Sequence, residues 1–171
     1  MRRLLVLLRV GPEGRAGHTA TLDEDCVGDA PAPGVDRLPE LTRRVTAAGV
    51  PVTLEITGER SQLSPGMDLC VYRVVQEALT NVLKHAGPAK AVVSLAFADQ
   101  AVTVRIKDDG NQPYAPEAGA PSGHGLIGMR ERARIYHGTV TTGPLALGGF
   151  EVRLVLPTQA GTEHHGTGAA P

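Results

Sequence analysis

The most regular helical pattern of the chain runs through Gln76-Glu77-Ala78-Leu79-Thr80-Asn81-Val82-Leu83-Lys84-His85-Ala86. Apolar residues recur every three or four positions from residue 67 to residue 86, which predicts an amphipathic helix. On its polar side Glu77, Asn81 and His85 follow one another at intervals of four, so their side chains form one stripe. Asn is a mediocre helix former, and its carbonyl oxygen suits a hard cation such as Mg²⁺. Taken alone, however, the stripe is better explained as a solvated helix surface.

Working outward from this helix, the patterns predict three helices and five strands. The first helix is capped by Asp36 and ended by Gly49, with a strand over 50–57 after it. The remaining elements are the helix over 67–86, a hairpin of strands 91–98 and 101–107, a helix over 126–136, and strands 139–142 and 150–156. This order predicts an α/β (α+β) two-layer sandwich, in which helices cover one face of a mixed, mostly antiparallel sheet.

Together with the segments before and after these elements, the chain is predicted to contain four regions. Residues 1–10 resemble the end of an amphipathic helix, 11–35 a Gly/Pro-rich linker, 36–157 the folded domain, and 158–171 a disordered tail.

The composition restricts the class of function. A content of 42% hydrophobic and 20% charged residues is typical of a globular protein, and a net charge of −1 argues against nucleic-acid binding. Cys26 and Cys70 form neither a disulfide framework nor a metal-binding pattern, and we expect both to be small apolar residues in a reducing cytoplasm. No apolar run is long enough to predict a membrane span.

A second candidate for chemistry is Asp108-Asp109-Gly110, directly after a predicted strand. A carboxylate in this place can accept a hydrogen bond from an exocyclic amine, and a following glycine lets the backbone approach a flat ligand. A plain Asp-Gly turn explains the same residues.

A third candidate is Gly123-His124-Gly125-Leu126-Ile127-Gly128-Met129-Arg130-Glu131-Arg132, where a loop becomes a helix. Backbone N–H groups at a helix start attract phosphate, and glycine lets the phosphate come close. A dinucleotide-binding fingerprint would require this glycine pattern after the first strand of a βαβ unit, and here it follows a long loop.

In their order and spacing, the three segments resemble the N box and the two glycine boxes of sensor histidine kinases of the nitrate-response and lipid-desaturation regulator type. The resemblance extends from about residue 34 to residue 157. It implies a Bergerat-type ATP-binding fold, ATP and Mg²⁺ as cofactors, and a protein histidine kinase activity. It also implies two partners, a phosphoacceptor hairpin domain and a response regulator, and a cytoplasmic domain whose parent kinase can be membrane-anchored. Residues 1–10 would be the stub of the second helix of that dimerisation hairpin, and the phosphoacceptor histidine is expected on a hairpin that is not present in this chain.

The resemblance also implies a role for each matching residue. Asn81 would be the Mg²⁺ ligand, Glu77 the catalytic or metal-orienting carboxylate, and Asp108 the acceptor for the adenine amine. Lys84 and His85 would lie near the phosphates, and residues 111–122 would form a lid. The nucleotide would further contact Gly110, Gly123, His124, Gly125, Leu126 and Gly128, whereas Ile127 and Met129 are expected to pack rather than to bind.

Several departures from the family leave alternatives open. Gln112 and Phe150 stand where many relatives have Gly and Thr, and His18 lies in a Gly-rich linker rather than in a phosphoacceptor helix. One alternative is a nucleotide-binding or protein-binding module without kinase activity. Another is a protein-serine kinase of the anti-sigma type, which shares the ATP fold.

Overall fold

The computed structural model describes residues 32–60, 63–111 and 124–158. Within them a short 3₁₀ turn at Val35–Arg37 precedes three helices and five strands. These are α1 (Leu38–Ala47), β1 (Val52–Thr57), α2 (Pro65–His85), β2 (Ala91–Ala98), β3 (Ala101–Asp108), α3 (His124–Ile135), β4 (Thr139–Pro144) and β5 (Phe150–Pro157).

The five strands form one mixed sheet in the order β1-β2-β3-β5-β4. Strands β1 and β2 are parallel, and every other neighbouring pair is antiparallel. The β2–β3 hairpin turns at Asp99 and Gln100, since Ala98 pairs with Ala101. The predicted two-layer architecture is therefore confirmed.

Among the described residues, the helices cover one face of the sheet. In β2, β3 and β5 buried residues alternate with more exposed ones, as expected for strands with helices on one side. All three helices contribute to a single apolar core against that face. Its fully buried side chains include Leu38, Leu79, Leu95, Ile106, Met129, Leu154 and Leu156.

Helix α2 is the central element of the helical layer. Pro65 occupies its first turn, and the Ser64 hydroxyl caps it by accepting a hydrogen bond from the Met67 N–H at 3.3 Å. Its apolar side is buried, including Cys70, and this burial raises the pKa of the Cys70 thiol to about 11. That environment agrees with the expected role of Cys70 as a small apolar residue.

Two sequence interpretations at the start of the domain are wrong. Asp36 does not cap α1, because it lies within the 3₁₀ turn and forms an ion pair with Arg60. Val35, assigned to the linker, is buried in the core, and its N–H donates to Asp68 at 3.0 Å. The compact unit accordingly begins at Pro33.

Other expectations fall outside the described residues. They concern the amphipathic helix end at 1–10, the linker up to residue 31, Cys26, the lid at residues 112–122, Gly123, and the tail from residue 159. Across the described ranges, no helix is long and apolar enough to cross a lipid bilayer.

Packing around α2 generates a stability prediction. Replacing fully buried Leu79 by Ala should lower the free energy of unfolding by about 3 kcal/mol, because it removes apolar contacts and leaves a cavity. Leu147→Ala is the matched control, since that side chain is fully exposed, and its effect should stay within about 0.5 kcal/mol. Urea unfolding followed by circular dichroism measures both, and equal effects would contradict the assignment of Leu79 to the core.

Candidate functional site

Asp108 is a buried carboxylate at the end of a central strand. It is 6% exposed, and its Oδ1 accepts a hydrogen bond from the Gly110 N–H at 3.0 Å. Burial raises its pKa above the ordinary aspartate value, and the nearby Asp109 acts in the same direction. Hydrogen bonds from the backbone N–H groups of Gly110 and Phe150 oppose this rise in the pKa.

The neighbouring Asp109 has a different position. Its side chain is exposed, and its Oδ1 accepts a hydrogen bond from the Lys90 N–H at 2.6 Å. Its own N–H donates to the Lys90 carbonyl at 3.2 Å, so Asp109 ties the end of β3 to the start of β2. The structure thus distinguishes the two carboxylates that the sequence placed side by side, and only Asp108 is buried.

Gly110 brings the end of β3 against the end of α2. A Cβ atom at position 110 would lie 2.6 Å from the Ala86 carbonyl oxygen and 2.7 Å from the Ala86 Cβ. Since Ala86 is the C-cap residue of α2, only a residue without a side chain allows this approach. The Asp-Asp-Gly segment therefore lies beside the last turn of the predicted site helix.

Gly125 brings the start of α3 against the same helix, at a point nine residues before Ala86. A Cβ atom at position 125 would overlap the Glu77 Oε1 and lie 3.1 Å from the Glu77 Cδ. Glu77 and Ala86 are separated by about 14 Å along the axis of α2. Helix α2 is thus contacted by the first glycine segment at one end of this stretch and by the second at the other.

The polar stripe of α2 is not a fully solvated surface. Glu77 and Asn81 are half-buried, and no hydrogen bond or ion pair joins either of them to another described residue. Lys84 and His85 are exposed and lie next to Ala86, toward the Asp108 end of the stretch. Partial burial of an amide and a carboxylate without such partners is typical of a ligand-binding surface.

The turn between β4 and β5 supports Asp108 in a way that the sequence did not reveal. Gly149 adopts a φ of +87°, and a Cβ atom there would overlap the Asp108 carbonyl oxygen. The Phe150 N–H then donates to the Asp108 carboxylate, while the Phe150 ring is buried. The two consecutive glycines before β5 are the feature of the sequence that could have indicated this turn.

The remaining residues of the second glycine segment have mixed environments. Met129 is buried, in agreement with a packing role, whereas Ile127 is 51% exposed and does not belong to the buried core. Leu126 packs partly against the core, and a Cβ atom at Gly128 would meet only the Arg132 guanidinium, at 3.2 Å. His124 begins α3.

The described residues restrict how a metal ion could be held. They contain no group of three or more His, Cys, Asp or Glu side chains suited to a metal ion. Mg²⁺ commonly takes one or two protein oxygens and completes its shell with phosphate oxygens and water. The half-buried Asn81 fits this kind of site, in which a polyphosphate ligand supplies most of the coordination.

Asp108 should destabilise the ligand-free fold at neutral pH. A carboxyl group whose pKa is raised on folding binds more protons in the folded state than in the unfolded state. The cost of ionising buried Asp108 therefore does not reduce the free energy of unfolding below pH 3.8, the ordinary aspartate pKa. It grows as the pH rises from there through the pKa of the folded state. Asp108→Asn, which keeps an oxygen acceptor, should raise the unfolding midpoint at pH 7 and lose this advantage near pH 3. Thermal unfolding at both pH values tests this, and a lower midpoint at pH 7 would contradict it.

Comparison with known proteins agrees with this geometry. Residues 67–160 match the family described as histidine kinase-, DNA gyrase B-, and HSP90-like ATPases. The chain is 32% identical over 111 residues to the sensor histidine kinase YxjM of Bacillus subtilis, covering 64% of this chain and 26% of that protein. It is 32% identical over 109 residues to the oxygen sensor histidine kinase NreB of Staphylococcus carnosus, covering 64% of this chain and 31% of that protein. The chain thus spans less than a third of the length of these relatives.

Solved structures show the same fold. The Acinetobacter baumannii histidine kinase AdeS superposes with a TM-score of 0.57 at 14% identity, covering 73% of this chain and 62% of that one. The blue-light activated histidine kinase of Erythrobacter litoralis gives the same TM-score of 0.57 at 15% identity, covering 74% and 45%. Because the family match covers more than half of the sequence, this chain belongs to the histidine kinase-, DNA gyrase B- and HSP90-like ATPases, and it carries the ATP-binding domain of a sensor histidine kinase.

Proposed function

We propose that this domain binds Mg·ATP and transfers the γ-phosphoryl group to a histidine on a phosphoacceptor hairpin domain, for relay to a response regulator. The observation that carries the proposal is the convergence of both glycine segments on α2, through Gly110 at Ala86 and Gly125 at Glu77. The same proposal places the domain in the cytoplasm, where ATP is available.

The Asp108 end of the site fits the adenine base. Asp108 is a hydrogen-bond acceptor in its ionised form, and its described donors are both backbone N–H groups. The exocyclic amine of adenine offers an additional donor to this buried acceptor. Gly110 has no side chain, so the segment that carries Asp108 lies directly against Ala86 at the end of α2.

The Glu77 end of the site fits the phosphates. Asn81 would hold Mg²⁺ through its side-chain oxygen, and the bound cation would neutralise phosphate charge. Glu77, one helical turn away, would orient the attacking imidazole or accept its proton. Phosphoryl transfer requires positioning and charge neutralisation more than covalent chemistry, which suits a site with few side chains.

The role of Asn81 can be tested by calorimetry. Asn81→Ala should weaken the Mg²⁺-dependent binding of ATP by roughly tenfold or more, because it removes the proposed protein ligand of the metal. Gln76→Ala is the matched control, since this amide lies on the same helix and accepts a hydrogen bond from Arg73 at 3.0 Å. The control should retain ATP affinity. Saturable ATP binding that is equal in wild type and Asn81→Ala would refute the assignment.

Phosphoryl transfer itself requires a second experiment. With γ-labelled ATP and a hairpin domain of a relative supplied separately, the label should appear on that hairpin and be lost in acid, as expected for phosphohistidine. Glu77→Gln should slow the transfer about a hundredfold, because it removes a proton acceptor while keeping the shape of the side chain. ATP binding without any labelled hairpin would favour the nucleotide-binding module without kinase activity, and acid-stable label would favour a serine kinase.

A further inference from the structure

The space that Gly125 leaves open is occupied by a side chain of α2. A Cβ atom at position 125 would overlap the Glu77 Oε1, and it would lie 3.1 Å from the Glu77 Cδ and 3.4 Å from the Glu77 Cγ. Those atoms are the outer part of the Glu77 side chain, so the whole carboxylate end lies against the first turn of α3. The sequence had suggested that this glycine admits a phosphate, but a carboxylate fills that volume.

The electrostatics of α3 favour a carboxylate at this place. The N-terminal turn of a helix carries partial positive charge from its unpaired N–H groups. The first turn of α3 contains no acidic residue, whereas Arg132 and Arg134 lie in its last turn. Glu77 has no ion pair or hydrogen bond with any other described residue that would draw its carboxylate away. Glu77 therefore places a negative charge beside the N-terminal turn of α3, which has no acidic residue of its own.

We infer that Gly125 is a positioning residue for Glu77: its missing side chain lets the Glu77 carboxylate rest on the N-terminal turn of α3, one helical turn from Asn81. This inference rests on the proposed function, because the position of Glu77 matters for catalysis only if Glu77 acts in phosphoryl transfer. A methyl group at position 125 displaces the carboxylate, since the end of a glutamate side chain can rotate away more easily than the backbone can move.

Gly128 provides a matched control on the same helix. A Cβ atom there would meet only the Arg132 Nη1 at 3.2 Å and the Arg132 Cζ at 3.9 Å, so it leaves Glu77 undisturbed. Gly-to-Ala changes at 125 and 128 add the same methyl group to the same helix. They differ in whether the added methyl group reaches Glu77.

Two double-mutant cycles test the inference. One combines Gly125→Ala with Glu77→Ala, and the other combines Gly128→Ala with Glu77→Ala. Gly125→Ala should slow phosphoryl transfer about tenfold or more, because it misplaces the carboxylate, and it should cause no further loss when Glu77 is already Ala. The dissociation constant for Mg·ATP should change less than threefold in both backgrounds. If Gly125 instead admitted a phosphate, ATP affinity would fall equally with and without Glu77, which would overturn the inference.

Thermal unfolding without nucleotide separates this inference from the proposed function. Gly125→Ala should raise the unfolding midpoint about 2 °C less when Glu77 is present than in the Glu77→Ala background. The reason is that the added methyl group must displace the carboxylate only when Glu77 is present. Ala at position 128 should act equally in both backgrounds. If wild type transfers no phosphoryl group, the proposed function fails, and the unfolding cycle still decides whether Gly125 and Glu77 are coupled. Additive effects of the two substitutions on the midpoint would overturn the inference.

Discussion

The candidate site is organised around one carboxylate that the fold keeps largely out of water. Asp108 lies at the end of β3, and its described hydrogen-bond donors are backbone N–H groups of Gly110 and Phe150. Desolvation outweighs these hydrogen bonds, which is why the pKa of Asp108 is raised. A buried carboxylate with a raised pKa is stabilised in its ionised form by a ligand that donates a further hydrogen bond to it. The ligand-free fold therefore carries a local penalty, and the adenine contact proposed above would relieve it.

The elements that build the sheet also hold this carboxylate in place. Asp109 ties the strand end to Lys90 at the start of β2, while Gly149 lets the β4–β5 turn contact the Asp108 backbone. Gly110 then allows β3 to approach the end of α2. Three different neighbours of Asp108 thus restrict its backbone, and its side chain has little freedom to turn toward solvent. Precise placement of a binding group follows from such rigid support.

The sequence predicted the fold well because the apolar periodicity is strong in nearly every element. It could not decide between a solvated stripe and a site for Glu77 and Asn81, because partial burial depends on which segments cover α2. It also missed Val35, whose burial depends on a distant partner, Asp68, through a hydrogen bond from its N–H. The support of Asp108 by Phe150 uses a backbone donor, and residue identity carries little information about backbone donors.

The separation of the two ends of the site explains why α2 has an unusual polar side. The proposed base-binding end near Ala86 and the proposed phosphate-binding end near Glu77 are about 14 Å apart along one rigid helix. A helix holds this distance more reliably than a loop, so the position of the base also determines where the phosphates lie. The two glycine segments reach α2 from separate parts of the chain, and each contacts it at one end. A change at Gly125 therefore acts on Glu77 and leaves the contact between Gly110 and Ala86 in place.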